Sequence, residues 1–310
     1  MYVIDTQVHL NELGLEGSLA AMDAVGVDGA VIDEWTGFDP NGMSKPYRFL
    51  ANGAFRALYG FAQAAAQRYP GRFKYIGKVD PADPELPDVM GELGSDPNAL
   101  CIRVSPKAAL GQVDFMRDGG YDGVFSAAQD AGLPVMLWIP GNLDVLDRIA
   151  RKFDALPIIL DHCGMLPLPA GEAPNDDFWF AEVVDQAESY PNVYLKLSHA
   201  LSLSRERFPF SDAASHIRRL VDALGERRLM WASDHTVSRY NYSWADALYF
   251  LRVPGVLSER EQEWVLGRTA REVLQWPESE SFGLYRKQTT VGSKSADAVS
   301  PTAAVGGRVP

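Results

Sequence analysis

The chain has 310 residues, 46% of them hydrophobic, and a formal charge of −12 at pH 7. The apolar fraction is ordinary for a globular protein, and the acidic balance argues against nucleic acid or an anionic membrane surface as a partner. The sequence contains no run of about 18 apolar residues that predicts a membrane span, and no basic segment followed by an apolar run that predicts a signal peptide. With two cysteines, Cys101 and Cys163, these features favour a cytoplasmic protein that acts on a small molecule.

Short apolar runs recur along the chain and predict eight strands. Their near-continuous apolar character, as in residues 157–160, is typical of parallel strands that are buried on both faces. The predicted strands are Tyr2–Val8, Gly29–Asp33, Phe73–Lys78, Leu100–Val104, Pro134–Trp138, Pro157–Asp161, Val193–Leu197 and Leu229–Ala232.

Helical patterns lie between these strands, and in Asp212–Leu224 the apolar residues recur at steps of three and four, as one buried face requires. The other predicted helices are Asn52–Tyr69, Tyr121–Ala131, Leu143–Phe153 and Phe178–Ser189. This alternation predicts an α/β fold, a single (β/α)8 barrel over residues 1–276. A doubly wound open sheet is the alternative, but no glycine-rich phosphate loop follows any predicted strand.

Two segments lie outside this regular pattern. The connection Trp35–Ala51, after the second strand, is long, and long loops at the carboxyl ends of barrel strands usually carry function. Residues 277–310 are rich in Ser, Thr, Ala, Gly and Val and show no periodicity. They predict a C-terminal extension that is largely disordered from about residue 286.

Catalytic groups of such barrels lie where the strands end, so we take the candidates from there. Four of the five histidines follow predicted strands, and the carboxylate of Asp234 follows the eighth. Physically, Asp234 is expected to act as general base, with His9 and His162 as further catalytic residues that stabilise an oxyanion. The predicted substrate-binding residues are Gln7, Trp35, Arg103, Trp138, Lys196, His199 and His235. For two of them a purely structural role is the alternative. Arg103 would then be an ion-pair partner, and Lys196 would form a salt bridge with Asp80.

Five motifs occur in the order found in a known family. They are Asp5–His9, Gly77–Pro81, Ile159–Gly164, Asn192–Ser198 and Leu229–Asp234. In this series the chain resembles the amidohydrolase-related barrels, and most closely the branch with lactonases of sugar acids and of pyrone dicarboxylate. The resemblance implies the same barrel and a hydrolytic reaction. It matches His9 to the second histidine of a metal-binding pair on strand one, His162 to the strand-six histidine and Asp234 to the strand-eight aspartate.

Three positions depart from the family pattern. Gln7 replaces the first histidine of the strand-one pair, strand five ends in Trp138 where the family has a histidine, and His235 follows Asp234 in place of an aromatic residue. A neutral amide is a poor ligand for a borderline-soft metal, so we expect no cofactor. The alternative is one zinc or manganese ion held by Gln7, His9 and Asp234.

These observations leave three functional hypotheses. The first is a hydrolase of a small, carboxylated cyclic ester that uses a general-base-activated water without a required metal. The second is a metal-dependent decarboxylase or hydratase of a related branch, which the missing strand-five histidine argues against. The third is a catalytically idle barrel that binds a small ligand, which the joint survival of His9, His162 and Asp234 argues against. Barrels of this kind commonly form dimers, so a homodimer is the assembly considered.

Overall fold

A computed structural model describes residues 1–10, 13–34, 47–164, 176–235 and 237–277. Side chains are described throughout these ranges except for residues 176–181, 203 and 240. Residues 1–277 form one compact unit. The predicted C-terminal extension from residue 278 and most of the predicted long loop, residues 35–46, lie outside the described residues.

The described chain contains a barrel sheet and one small hairpin. The strands are β1 (Ile4–Val8), β2 (Gly29–Ile32), β3 (Tyr47–Phe49), β4 (Phe55–Ala57), β5 (Phe73–Gly77), β6 (Ala99–Val104), β7 (Val135–Leu137), β8 (Ile158–Leu160), β9 (Val193–Leu197) and β10 (Leu229–Trp231). Eight of them form one parallel sheet in the order β1-β2-β5-β6-β7-β8-β9-β10, and β3 pairs with β4. The predicted (β/α)8 fold and all eight predicted strands are therefore confirmed, with ends that differ by at most two residues.

The sheet closes into a barrel just beyond β10. The amide of His9 donates to the carbonyl of His235 (2.7 Å), the amide of Asp234 donates to the carbonyl of Gln7 (3.1 Å), and Val8 pairs in parallel with His235. Asp5 is fully buried at this seam and accepts from the amide of Ser233 (3.0 Å). Because the closing bonds lie at the carboxyl ends of both strands, the seam fixes His9 beside Asp234.

Helices cover the outside of the barrel. They are α1 (Gly14–Val25), α2 (Gly60–Arg68), α3 (Leu86–Ser95), α4 (Gln112–Arg117), α5 (Asp122–Asp130), α6 (Asp144–Lys152), α7 (Asp176–Ser189), α8 (Ser211–Leu224), α9 (Trp244–Tyr249), α10 (Glu259–Glu263) and α11 (Thr269–Val273). In α8 the predicted apolar face is buried, namely Ala213, Ile217, Leu220 and Val221. None of the described helices combines the length and the apolar composition that crossing a membrane requires.

The predicted helix Asn52–Tyr69 is wrong in its first half. Phe55–Ala57 forms strand β4, and the helix begins only at Gly60, after Tyr59 has adopted a left-handed conformation (φ 48°). Long-range contacts override the local pattern here, since the Arg56 guanidinium binds both carboxylate oxygens of Asp83 at 2.6 and 2.9 Å. The hairpin of β3 and β4 is thereby attached to the loop that follows β5.

Candidate active site

Three histidines surround one aspartate at the carboxyl ends of β1, β8, β9 and β10. The Nε2 atom of His9 lies 3.0 Å from Asp234 Oδ1, and Nε2 of His199 lies 2.6 Å from Asp234 Oδ2. His162 Nε2 lies 4.0 Å from the same Oδ2, and its ring packs edge-on against His199 with centroids 4.6 Å apart. We call these four residues the His–Asp cluster.

Three members of the cluster have an unusual backbone conformation. His162, His199 and Asp234 have φ values of 52°, 61° and 52°. The left-handed region costs an L-residue with a Cβ roughly 1–2 kcal/mol, and such strain concentrates at functional sites. Each of these residues lies two or three positions beyond the end of its strand, and this conformation turns the chain so that the three side chains meet.

Neighbouring groups fix the orientation of two imidazoles. His9 Nδ1 lies 2.6 Å from the backbone oxygen of Asp33, and His162 Nδ1 lies 2.5 Å from the hydroxyl of Ser198. Ser198 is fully buried, so its hydroxyl serves His162 rather than solvent. The second nitrogen of each ring is thus directed towards Asp234.

The cluster is buried, and this controls its protonation. Burial alone would raise the pKa of Asp234, but hydrogen bonds from His199 and His9 hold the pKa of this carboxyl well below its ordinary value. Burial lowers the pKa of His162 to about 3. At neutral pH the cluster therefore contains an ionised carboxylate beside a neutral His162. His199 is its most exposed member, with 20% of its side chain accessible.

A closed ring of hydrogen bonds lies beside the cluster. Gln7 Nε2 donates to Asp33 (3.3 Å), Arg103 bridges Asp33 (2.5 Å) and Asp161 (2.6 Å), and the Lys196 ammonium binds both Asp161 and the Gln7 amide oxygen. These five side chains come from or directly follow β1, β2, β6, β8 and β9. We call them the polar ring.

The polar ring is ionised, with two cations and two carboxylates, and Lys78 beside it adds a third cation. Burial would raise the pKa of Asp33, but the charges of Lys78 and Arg103 hold that pKa far below its ordinary value. The pKa of Asp161 is likewise lowered, against the effect of burial, by Lys196 and Arg103. Lys78 contacts Asp33 at 2.5 Å, so three cations face two carboxylates. The side chains of Lys78 and Arg103 are partly accessible, at 23% and 13%.

Comparison with known proteins identifies the family. Residues 4–276 match the amidohydrolase family. The chain belongs to this family. The membership confirms the resemblance given by the five motifs and the prediction of an enzyme of the hydrolase class.

Individual relatives agree with this assignment. The chain is 29% identical to an L-fucono-1,5-lactonase from Burkholderia ambifaria over 169 residues, which is 53% of this chain and 55% of that protein. The match thus spans about half the length of the relative. A zinc-bound amidohydrolase from Burkholderia multivorans superposes with a TM-score of 0.70 at 17% identity, over 89% of this chain and all of the other. A putative 2-pyrone-4,6-dicarboxylic acid hydrolase from Pseudomonas putida gives 0.67 at 18% identity, over 90% and 99%. Both structures support the amidohydrolase barrel fold.

The structure places the predicted substrate-binding residues of this amidohydrolase in different environments. Gln7 and Lys196 are fully buried in the polar ring. Arg103 pairs there with two carboxylates, which agrees with its alternative role as an ion-pair partner. Trp138 is half-buried at the end of β7, and His235 stacks on Trp244 with ring centroids 4.7 Å apart. His199 joins the His–Asp cluster, and Trp35 lies outside the described residues.

The alternative role considered for Lys196, a salt bridge with Asp80, is wrong. Lys196 does not pair with Asp80. Its ammonium binds Asp161, while Asp80 accepts hydrogen bonds from the amides of Phe55 (3.0 Å) and Ala82 (2.9 Å). Asp80 follows β5, where it holds the hairpin, whereas Lys196 points into the barrel from β9.

Four further residues belong to the site although sequence reasoning gave them no role. Asp33, Lys78, Asp161 and Ser198 each follow a strand directly and contact a ring or cluster member. Their position at a strand end was visible in the sequence. Their roles depend on which strand ends face one another, and that information comes only from the closed barrel.

Three residues of the His–Asp cluster, His162, His199 and Asp234, fit one divalent metal ion. The structure of the Burkholderia multivorans amidohydrolase contains bound zinc. Ligand atoms of His162, His199 and Asp234 all lie within 4.8 Å of one another. Two imidazoles and one carboxylate are a common ligand set for catalytic zinc. The set predicted as an alternative from sequence, Gln7, His9 and Asp234, shares only the aspartate with it. Gln7 Nε2 lies 3.5 Å from His9 Nε2, but the amide oxygen, which would be its metal-binding atom, accepts from Lys196.

Proposed function

We propose that this amidohydrolase opens a small cyclic ester, a lactone, that carries a carboxylate. The observation that carries the proposal is the buried, ionised Asp234 held between His9 and His199. The polar ring lies beside it, and with Lys78 its two carboxylates face three cations. Support for the opening of a lactone comes from the related L-fucono-1,5-lactonase. Support for a substrate carboxylate comes from the fold neighbour described as a pyrone dicarboxylic acid hydrolase, since a 2-pyrone is also a cyclic ester.

Asp234 acts as general base in the proposed reaction. Water adds to the lactone carbonyl carbon while one of its protons passes to the Asp234 carboxylate. The tetrahedral intermediate then collapses, the ring carbon–oxygen bond breaks, and the departing oxygen takes the proton back from Asp234. The product is a hydroxy acid. His9 keeps the carboxylate oriented, because it contacts Oδ1 while its other nitrogen is fixed by the backbone of Asp33.

A carboxylate with a low pKa is a weak base, so the water and the carbonyl both need an electrophile. A divalent ion bound by His162, His199 and Asp234 would polarise the carbonyl and lower the pKa of water. The chain's own cations are suited to a different task. Lys78 and Arg103 are partly accessible and bring excess positive charge, so we assign them to the substrate carboxylate.

The test is a hydrolysis assay with a panel of lactones followed by a pH indicator. The panel contains carboxylated lactones, namely pyrone dicarboxylate and lactones of sugar diacids. It also contains neutral lactones of similar size, namely 1,4- and 1,5-lactones of sugar monoacids. We expect turnover, with a higher kcat/KM for the carboxylated compounds. Release of carbon dioxide in place of ring opening would instead support the decarboxylase hypothesis.

Asp234→Asn tests the proposed role of the base. General-base catalysis contributes about 100- to 10,000-fold, so kcat should fall by at least about 100-fold. Asparagine tolerates the positive φ at this position, so the fold should survive. Asp88→Asn, on the exposed surface of α3, is the matched control and should keep wild-type turnover. Turnover by Asp234→Asn within threefold of wild type would refute the role.

A further inference from the structure

The segment around the β3–β4 hairpin is joined to the loop after β5 at several points. The amide of Phe55 donates to Asp80 (3.0 Å), and Arg56 binds both carboxylate oxygens of Asp83. A further contact is made by Tyr59, which follows β4 and precedes α2. The chain that carries Tyr59 is thus held against the residues that follow β5.

Tyr59 binds the backbone of Lys78 at two atoms. Its hydroxyl donates to the carbonyl oxygen of Lys78 (2.8 Å) and accepts from the amide of the same residue (2.5 Å). The register of β5 with β2 and β6 ends at Gly77, so Lys78 lies one residue beyond the registered strand pairs. Burial raises the pKa of the Tyr59 phenol, so the hydroxyl keeps the proton that it donates.

The conformation of Tyr59 is adapted to this contact. Its backbone is left-handed (φ 48°), which is rare for a bulky aromatic residue, and such strain concentrates at functional sites. Its ring packs against Tyr75 with centroids 5.1 Å apart. The ring contact and the two hydrogen bonds to Lys78 together hold the hydroxyl in place.

Lys78 is the partly accessible cation that the proposed function assigns to the substrate carboxylate. Its ammonium contacts Asp33 (2.5 Å) and donates to the backbone oxygen of Glu34 (2.8 Å). The backbone and the ammonium of Lys78 are therefore both held in place. A cation fixed in this way binds an anion without the entropic cost of ordering a long, flexible side chain.

We infer that Tyr59 is a positioning residue that acts through Lys78 and sets the preference of the site for carboxylated lactones. The inference rests on the proposed function for the class of substrate, whereas the position of Lys78 can be measured without turnover. Tyr59 lies outside the eight barrel strands. The segment between the hairpin and α2 thereby takes part in specificity together with the barrel.

The reactivity of Lys78 tests the positioning directly. Full-length proteins are treated briefly with acetic anhydride, and acetylation of Lys78 is measured by peptide mass spectrometry relative to the exposed Lys107. Tyr59→Phe removes the hydroxyl and keeps the ring, so Lys78 should react at least about threefold faster as its ion pair opens more often. Tyr75→Phe is the matched control and should keep the wild-type rate, since its hydroxyl donates to Asp96 (2.7 Å).

Steady-state kinetics test the consequence for specificity. The measured quantity is the ratio of kcat/KM for pyrone dicarboxylate to kcat/KM for a neutral 1,5-lactone. Lys78→Met should lower this ratio by about 10- to 100-fold, and Tyr59→Phe by about 3- to 10-fold, mainly through the KM of the carboxylated compound. The double variant should lose no more than Lys78→Met alone, because Tyr59 then has no cation to position. Tyr75→Phe should keep the wild-type ratio.

The outcomes separate the role of Tyr59 from the proposed reaction, with thermal melting to confirm that each variant is folded. A folded Tyr59→Phe protein with the wild-type rate of Lys78 acetylation would overturn the inference, and so would an equal increase in Tyr75→Phe. An unchanged substrate ratio in Tyr59→Phe, or additive losses in the double variant, would also overturn it. Faster acetylation of Lys78 in Tyr59→Phe, combined with no turnover of any lactone by wild type, would uphold the positioning and count against the proposed function.

Discussion

The most direct test of the polar ring is Lys196→Met, which removes a buried positive charge. The Lys196 side chain is fully buried, and its ammonium binds Asp161 and Gln7 and lies 3.5 Å from Met136 Sδ. Methionine fills similar space without the charge. The variant leaves Asp161 with Arg103 as its remaining cation and leaves the Gln7 amide oxygen without its donor.

The expected cost is large because the partner carboxylate stays buried. Removing one member of a buried ion pair typically destabilises a protein by about 3–5 kcal/mol. Lys152→Met is the matched control, the same substitution at an exposed ion pair. Lys152 contacts Asp122 at 2.7 Å, its side chain is 53% exposed, and Asp122 keeps Arg148 as a partner. Exposed pairs contribute about 0–1 kcal/mol, so the control should be nearly neutral.

The assay is urea denaturation of wild type and both variants, with the slope checked for constancy before free energies of unfolding are compared. Adding Asp161→Asn to Lys196→Met removes the carboxylate that lost one of its two cations, so the double variant should lose less than the sum of the two single variants. A loss for Lys196→Met within about 1 kcal/mol of the loss for Lys152→Met would refute the reasoning, since this equals the contribution of an exposed pair.

Two further predictions concern regions away from the site. Hydrogen bonds from Arg218 lower the pKa of Glu261 from 4.5 to about 2, so this carboxylate stabilises the fold above about pH 4.5 and loses that contribution as the pH falls towards 2. Allowing for partial exposure, Glu261→Gln should cost about 1–2 kcal/mol at pH 7, and urea midpoints at pH 3 should show less than half that difference. A Cβ on Gly267 would lie 1.9 Å from the carbonyl oxygen of Tyr2, so Gly267→Ala should lower the melting temperature and cost about 3 kcal/mol or more. Gly91→Ala, with no atom within 4 Å of the new methyl group, should stabilise α3 by about 0.5–1 kcal/mol, and equal effects of the two alanines would contradict the packing argument.

The barrel was predictable because its strands are apolar on both faces. Ile158–Leu160 is completely buried, and so is Gly29–Ile32, so local composition alone marks both segments. The hairpin was not predictable in the same way. Phe55–Ala57 becomes a strand through pairing with Tyr47–Phe49 and through the ion pair between Arg56 and Asp83, and neither contact is visible in a local window.

The candidate site was predictable in some of its members but not in their partners. The rule that catalytic groups follow barrel strands found His9, His162 and Asp234 from sequence. It could not tell that Lys196 reaches Asp161 rather than Asp80, because that depends on the register of neighbouring strands and on the direction of each side chain. The sequence also indicated only a substrate-binding role for His199. Its left-handed backbone turns the side chain towards Asp234, and this conformation has no signature in the sequence.

Gln7 and His199 are best understood as two parts of one rearrangement of the family pattern. An amide both donates and accepts, so Gln7 can receive the Lys196 ammonium on its oxygen and give its N–H to Asp33, which closes the polar ring. The ring places the Lys196 cation where an ion bound by Gln7 would need room, so the strand-one side of the mouth resists a second positive charge. Any ion must then be held from the opposite side, where His199 meets Asp234. The amide at position 7 therefore accounts for the closed polar ring, and it leaves His162, His199 and Asp234 as the donors of the proposed metal ion.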